Sequence, residues 1–358
     1  MHGSEHTGSS QVRYVNMERN EMNIALIARK ARVSTATVSR TLNHSPLVRE
    51  KTAVRVRKVI EDLGYIPNGS ARSLSSGRSN LLGVIISDIT NPFFPDLISS
   101  FERLSAEQSY EVIFANTNYD PERLEHALLR MMQRRVDGIA LMTSEMHEPA
   151  LAMLKKQKIP TVTLQHRIEE SDFNTVRVDH RIGIRKAVQH LVELGHSNIA
   201  FISGPGALWS ANQRRDFVLA ELAHNKLKVA PSCLIEGNHR VDGGVAAMKT
   251  LLALKDRPTA ILCSNDLTAL GALKTIHEAN LEVPRDFSLV GFDDIDMVSL
   301  MHPALTTVRI PRSEIAAEAL TMLLAAMSGL TPRMQETTIE TRLVIRQSTG
   351  APGKKHKK

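Results

Sequence analysis

The sequence predicts an α-helical helix-turn-helix head followed by a two-lobed α/β body built on parallel sheets. Three observations carry this. Residues 24–43 read as helix, tight turn, helix. From Leu81 onward, short apolar runs alternate with amphipathic stretches. The charge divides at the same place: residues 22–80 hold eleven Lys/Arg against three Asp/Glu, while residues 81–353 hold 28 against 32. A basic head on a mildly acidic body is the footprint of one module made for a polyanion and another with a different task.

At 358 residues the chain exceeds one small core and suggests two or three domains. With 42% hydrophobic, 23% charged and 4% aromatic residues, its composition is that of an ordinary soluble protein. No run approaches the roughly eighteen apolar residues of a membrane span, so no membrane partner is expected. Residues 1–21 are polar and lack the apolar stretch of a secretory signal, so a cytoplasmic location is expected. Cys233 and Cys263 have neither metal-ligand spacing nor a disulfide framework around them. Neither a metal nor a cofactor is expected.

Along the head, Ile24, Ile27, Ala28 and Ala31 repeat at helical spacing. Val33 and Ser34 reset the chain, Ser34 as N-cap of a second helix running to about Asn43, which His44-Ser45-Pro46 ends. A third helix is expected over about Arg49–Leu63, closed by Gly64. In the body, strands are expected at 81–86, 110–115, 138–142, 160–164, 198–202, 260–263 and 287–292. Helices such as 96–108, 122–135, 183–194, 243–254 and 267–279 lie between them. This alternation implies parallel sheets covered on both faces, and the units are too many for one sheet. Ligands of such folds sit beyond the carboxyl ends of strands, so the loops after each strand are the ones to watch.

The second helix presents Thr, Ser and Arg on one face. Arginine reads guanine bidentately, threonine bonds or touches a thymine methyl, and hydroxyls anchor phosphates. A packing-only helix-turn-helix would not need the basic charge around it. The segment 67–74, polar and basic with one leucine, suits a piece that folds against DNA and inserts a minor-groove wedge.

The run Val33-Ser34, Ala36-Thr37-Val38-Ser39-Arg40, Leu42-Asn43, followed by Leu63-Gly64-Tyr65-Ile66-Pro67-Asn68, resembles the lactose/galactose repressor (LacI/GalR) family. The resemblance continues in order through Asn91-Pro92-Phe93-Phe94, Arg135-Val136-Asp137-Gly138, Ser203-Gly204-Pro205, Ser264-Asn265-Asp266 and Val290-Gly291-Phe292-Asp293-Asp294. It covers about residues 22–348. It implies a periplasmic-binding-protein-like sensor, a homodimer, and a near-palindromic double-stranded DNA operator. By position, Thr35, Ala36 and Arg40 would face base edges, Ala36 with apolar contact only, while Thr37 and Ser39 would hold phosphates. Ser34, Asn43, Asn68, Ala71 and Arg72 complete the DNA-binding set, and Leu74 takes the place of the intercalating leucine. Gly69 would raise the ordering cost of that hinge by roughly 0.5–1 kcal/mol relative to alanine. Two positions depart from the family: Leu26 stands where an acid is common, and Arg32 where a turn glycine is common. The added charge of Arg32 could contact phosphate.

For the sensor, the resemblance implies an effector site between the lobes at Phe93, Phe94, Gln165, His166, Trp209, Ser210, Arg214, His239 and Asp293, with Leu208 nearby. Arg214 and Asp293 suit hydroxyl, amide or carboxylate groups over an aromatic floor. The plainer alternatives are a structural Arg214–Asp293 ion pair and a loop position for His239. The stretch from Met131 to Leu154 is similar to the purine repressors. There, however, Gln165 replaces an acid, Leu208 an arginine and His239 an aromatic, so a nucleobase would lose its partners. A sugar, sugar acid or sugar phosphate is expected instead, with Arg214 and His239 leaning toward an anion.

The expected organisation is a disordered extension 1–21, a DNA-binding head 22–66, a hinge helix and linker 67–80, an effector-binding and dimerisation body 81–350, and a basic tail 351–358. One lobe is expected from about 81–179 plus 311–338, the other from about 180–310 plus 339–350. The implied function is a transcriptional repressor switched by a small polar metabolite in the cleft. The alternatives are a purine-type co-repressor-dependent regulator and an exported solute-binding protein. No P-loop or dinucleotide-loop spacing supports an enzyme. The short basic tail has no heptad pattern, so tetramers are not expected.

Overall fold

The computed structural model describes residues 24–43, 45–65, 78–143, 147–164, 173–329 and 334–353. The extension 1–21, the hinge residues Asn68, Ala71, Arg72 and Leu74, the cleft candidates Gln165 and His166, and residues 354–358 lie outside them. The chain divides into two compact units, one ending at Ser79 and the other beginning at Asn80.

The first unit is built on α1 (Ile24–Ala31), α2 (Thr35–Leu42) and α3 (Glu50–Asp62). Its core is small: Ile27, Ala28, Ala31, Val38 and Val56 are buried, with Ile24, Leu42, Ile60 and Tyr65 packed around them. These are the apolar positions that recur every three or four residues, so helical periodicity alone brings them together. Arg32 makes the turn between α1 and α2 with φ of 52°, the left-handed conformation that glycine adopts more easily. Arg49 stands at the N-cap of α3, where its side chain makes no capping hydrogen bond.

In the second unit the first sheet is assembled from β1 (Leu81–Ile86), β2 (Glu111–Asn116), β3 (Gly138–Met142), β4 (Thr161–Leu164) and β5 (Asn174–Asp179). Its helices are α4 (Phe93–Glu107), α5 (Pro121–Gln133) and α6 (Glu148–Gln157). The second sheet takes β6 (Ile199–Ser203), β7 (Leu234–Glu236), β8 (Ala260–Cys263), β9 (Ser288–Asp293) and β10 (Thr306–Arg309). Its helices are α7 (His180–Glu193), α8 (Trp209–His224), α9 (Val241–Leu252) and α10 (Asp266–Glu278). The chain then returns through α11 (Arg312–Ser328) to β11 (Glu336–Glu340) on the first sheet, and ends in β12 (Arg342–Val344) on the second.

The strand orders are β11-β5-β4-β3-β1-β2 and β12-β10-β9-β8-β6-β7. Every pair is parallel except β10 with β12. Strands with helices on both faces are apolar throughout, as all five residues of β3 are buried. The chain therefore passes between the lobes three times: after Asp179, between β10 and α11, and between β11 and β12.

Candidate functional sites: the reading helix and the interlobe cleft

On α2, Val38 and Thr41 face inward, which leaves Thr35, Ala36, Ser39, Arg40 and Asn43 on the opposite side. Thr35, Ala36, Arg40 and Asn43 are exposed, so the residues that carry base and phosphate chemistry share one outer face. Ser34 is the N-cap, accepting from Thr37 N at 3.2 Å, and its hydroxyl lies 2.9 Å from that of Thr37. Both hydroxyls thus fix the start of the helix whatever else they touch. Exposed Leu47 lies on the loop after α2, which Ser45 ties back by donating to Arg40 O at 2.9 Å.

Between the two lobes lies a cavity of about 70 Å³. From the first lobe it is lined by Ser87, Asn91, Phe93, Phe94, Tyr119 and Thr143, among others. From the second come His180, Ser210, Arg214, His239, Asn265 and Asp293. Ser87 and Thr143 directly follow β1 and β3, Asn265 is two residues past β8, and Asp293 ends β9, so the strands deliver their carboxyl ends to the cleft. Phe93 and Phe94 meet edge to face at 5.1 Å between ring centres and form its apolar floor.

Arg214 and Asp293 are the charged pair. The guanidinium stacks 4.4 Å from the Phe292 ring centre and donates to Ser264 O at 2.8 Å. Among the described residues its Nε has no hydrogen-bond partner. Burial pushes the Asp293 carboxyl up to about 6, against the opposing pull of Arg214, Arg312 and the Asn91 hydrogen bond. Beneath it, Asp266 is held well above the usual carboxylate range by burial and by Asp293. It accepts from Thr307 Oγ1 at 2.6 Å and from Ile295 N at 2.9 Å.

His239 adopts φ of 61°, and Asn265 Nδ2 holds its carbonyl at 2.8 Å. Its ring lies on Gly204, where a Cβ would stand 1.9 Å from Nε2. Burial, aided by Arg214, pushes this imidazole down to about 3, so it is neutral at pH 7. Nε2 has no hydrogen-bond partner among the described residues. The expected lean toward an anion loses its second cation here: the cleft holds Arg214 against Asp293.

Of the residues expected at the effector site, the structure brings together Phe93, Phe94, Ser210, Arg214, His239 and Asp293. Trp209, the first residue of α8, is half-buried and outside the lining, as is buried Leu208 before it. Asn91, Tyr119, His180 and Asn265 were missed. The rule that sites follow strand ends points at Asn265, two residues past β8, and at Tyr119, three residues past β2.

Known proteins make the same division. Residues 23–68 match "Bacterial regulatory proteins, lacI family", and residues 188–349 match "Periplasmic binding protein-like domain". The ribose operon repressor of Escherichia coli K12 is 32% identical over 323 residues, 90% of this chain and 98% of that one. The chain belongs to the LacI family. It is accordingly a DNA-binding transcriptional regulator with a small-molecule sensor. Among solved LacI-family structures, the lac repressor dimer bound to operator and the anti-inducer ONPF superposes with a TM-score of 0.81. Identity is 27%, covering 91% of this chain and 98% of that one. A LacI-family regulator from Enterococcus faecium with bound ribose gives 0.68 at 29% identity, covering 76% and 99%. No group of three or more His, Cys, Asp or Glu among the described residues could hold a metal. No described helix is long and apolar enough to cross a membrane.

Proposed function

We propose that this LacI-family regulator is a non-enzymatic cytoplasmic repressor, binding a near-palindromic operator as a homodimer, and that its effector is a neutral monosaccharide. The observation that carries the effector class is the buried Arg214–Asp293 pair beside an apolar floor in a cavity of about 70 Å³. A water needs about 10–15 Å³ of such space, so the cavity has room for roughly five to seven waters, the scale of one sugar ring. Charge supports neutrality. With His239 uncharged, one guanidinium faces one carboxylate, and a phosphate or sugar acid would bury an uncompensated charge. Arg214, Asn91, Ser210 and Asp293 supply the donors and acceptors that sugar hydroxyls need, and Phe93 and Phe94 cover the ring's apolar face. The ribose bound to the Enterococcus faecium relative fits the same size.

In the head, Thr35, Ala36 and Arg40 read bases, with Ser34, Thr37, Ser39 and Asn43 placing the helix on the backbone. Asn68, Ala71, Arg72 and Leu74 form the hinge contact. A ligand acts by favouring one degree of lobe closure over another, by about 1–3 kcal/mol. The test is a thermal-shift panel of D-ribose, D-galactose, D-gluconate, ribose 5-phosphate and hypoxanthine, followed by inverted-repeat binding with each hit. A neutral sugar raising Tm and changing operator affinity is expected. Stabilisation by only the anions or the nucleobase would refute the effector class.

A further inference from the structure

At the lip of the cleft one side chain spans the two lobes. Arg240, the N-cap residue of α9, donates from Nη2 to Asp88 Oδ2 at 2.9 Å and to Asn118 Oδ1 at 2.8 Å, both on the first lobe. Asp88 is a fixed target: its side chain is 3% exposed, and Oδ1 accepts from Thr90 N at 3.0 Å and Thr90 Oγ1 at 2.7 Å. Arg240 is itself held, its backbone N donating to Asn238 Oδ1 at 3.0 Å. None of the three lines the cavity, yet each is the sequence neighbour of a residue that does: Ser87, Tyr119 and His239. Asn118, Tyr119 and His239 all have positive φ, so these loop tips turn sharply between the cleft and its lip. A second interlobe ion pair, Arg312 with Asp296 at 3.1 Å, starts at the first residue of α11, on one of the chain crossings. Rotation of the lobes about the crossings moves that pair least. The Arg240 contacts stand on no crossing, so a rotation that opens the lip would part them.

We propose that Arg240 is a positioning residue for effector binding: a latch that selects the closed arrangement and so sets effector affinity without touching the effector. Charge-assisted hydrogen bonds to a buried carboxylate are among the stronger non-covalent contacts in proteins. Here they form in one state of the cleft and not in the other, which is the condition for shifting a population. Because Ser87, Tyr119 and His239 are one residue away, an effector that seats them also aligns the latch. The sugar part of this inference rests on the monosaccharide reading above; the closure part does not.

The test uses the full chain with Arg240→Ala, Arg240→Lys and Asn118→Gly, the last keeping a residue suited to positive φ. X-ray scattering without added sugar is expected to give a larger radius of gyration for Arg240→Ala than for the unaltered chain. With D-ribose as the probe, Arg240→Ala should weaken binding about tenfold through faster dissociation, with association within about twofold. Arg240→Lys should recover part of this, since it keeps the positive charge facing Asp88 on a shorter stem without the guanidinium's planar donors. Asn118→Gly should fall between. Unchanged scattering together with unchanged ribose dissociation would overturn the latch. If D-ribose binds none of the proteins, the monosaccharide reading fails while scattering alone still decides the latch.

Discussion

Nη1 of Arg214 stops 3.8 Å from Oδ1 of Asp293. That is an ion pair but too long for a hydrogen bond, so a ligand oxygen can join both groups where the protein does not. A hydroxyl donating to the carboxylate requires Asp293 ionised, and its carboxyl sits at about 6. D-ribose affinity, measured by calorimetry, is therefore expected to be flat above pH 7. It should fall about tenfold per unit below pH 6. For the empty protein the sign is opposite. A carboxyl raised above its ordinary value of 3.8 favours the fold while protonated, and that contribution is lost as pH rises through 6.

The His239 imidazole, lowered from 6.5 to about 3, contributes nothing against the fold above pH 6.5 and opposes it increasingly below. Between pH 6.5 and 5 this amounts to about 2 kcal/mol. Replacing it by Gln should shrink the stability lost between pH 7.5 and 5 by about that amount, whatever the absolute change. Urea melts at the two pH values measure it, and an undiminished loss would reject the assignment.

Gly204 and His239 should behave as one unit. Gly204→Ala places a Cβ 1.9 Å from Nε2, and overpacking of this kind costs about 1–3 kcal/mol. In a His239→Ala background the same substitution should cost little. A double-mutant cycle by thermal melting reads the coupling.

Arg32 holds positive φ in the turn of the head. Arg32→Gly should stabilise the head by roughly 0.5–1 kcal/mol while removing an exposed cation. If that cation meets phosphate, the slope of log affinity against log salt on an operator duplex should become shallower by about 0.9. An unchanged slope would leave Arg32 as turn strain alone.

How far the molecule can be read from its residues depends on where hydrophobic pattern alone decides. The helices of the head, and strands such as Leu81–Ile86 and Gly138–Met142, are legible because their apolar periodicity has one solution. β5 and β11, with Asn174, Arg177, Glu336 and Glu340 among their residues, and the three-residue β7 and β12 are not legible. Their identity comes from neighbouring strands rather than from their own composition. Helices α4 and α7 begin three residues earlier than the pattern suggests, because Phe93 and His180 open them while facing the cleft. In the cleft itself, Arg214 and Asp293 are readable from the family motif. Arg240 with Asp88 and Asn118 is not, since those residues lie 152 and 122 positions apart and meet only across the closed lip.

The three passages between the lobes have a consequence for how the protein is made. Because β11 edges the first sheet and β12 the second, both lobes wait for the final few dozen codons before either is whole. A ribosome that stops early releases a DNA reader joined to two unfinished sheets with bare edges, prone to aggregation and proteolysis.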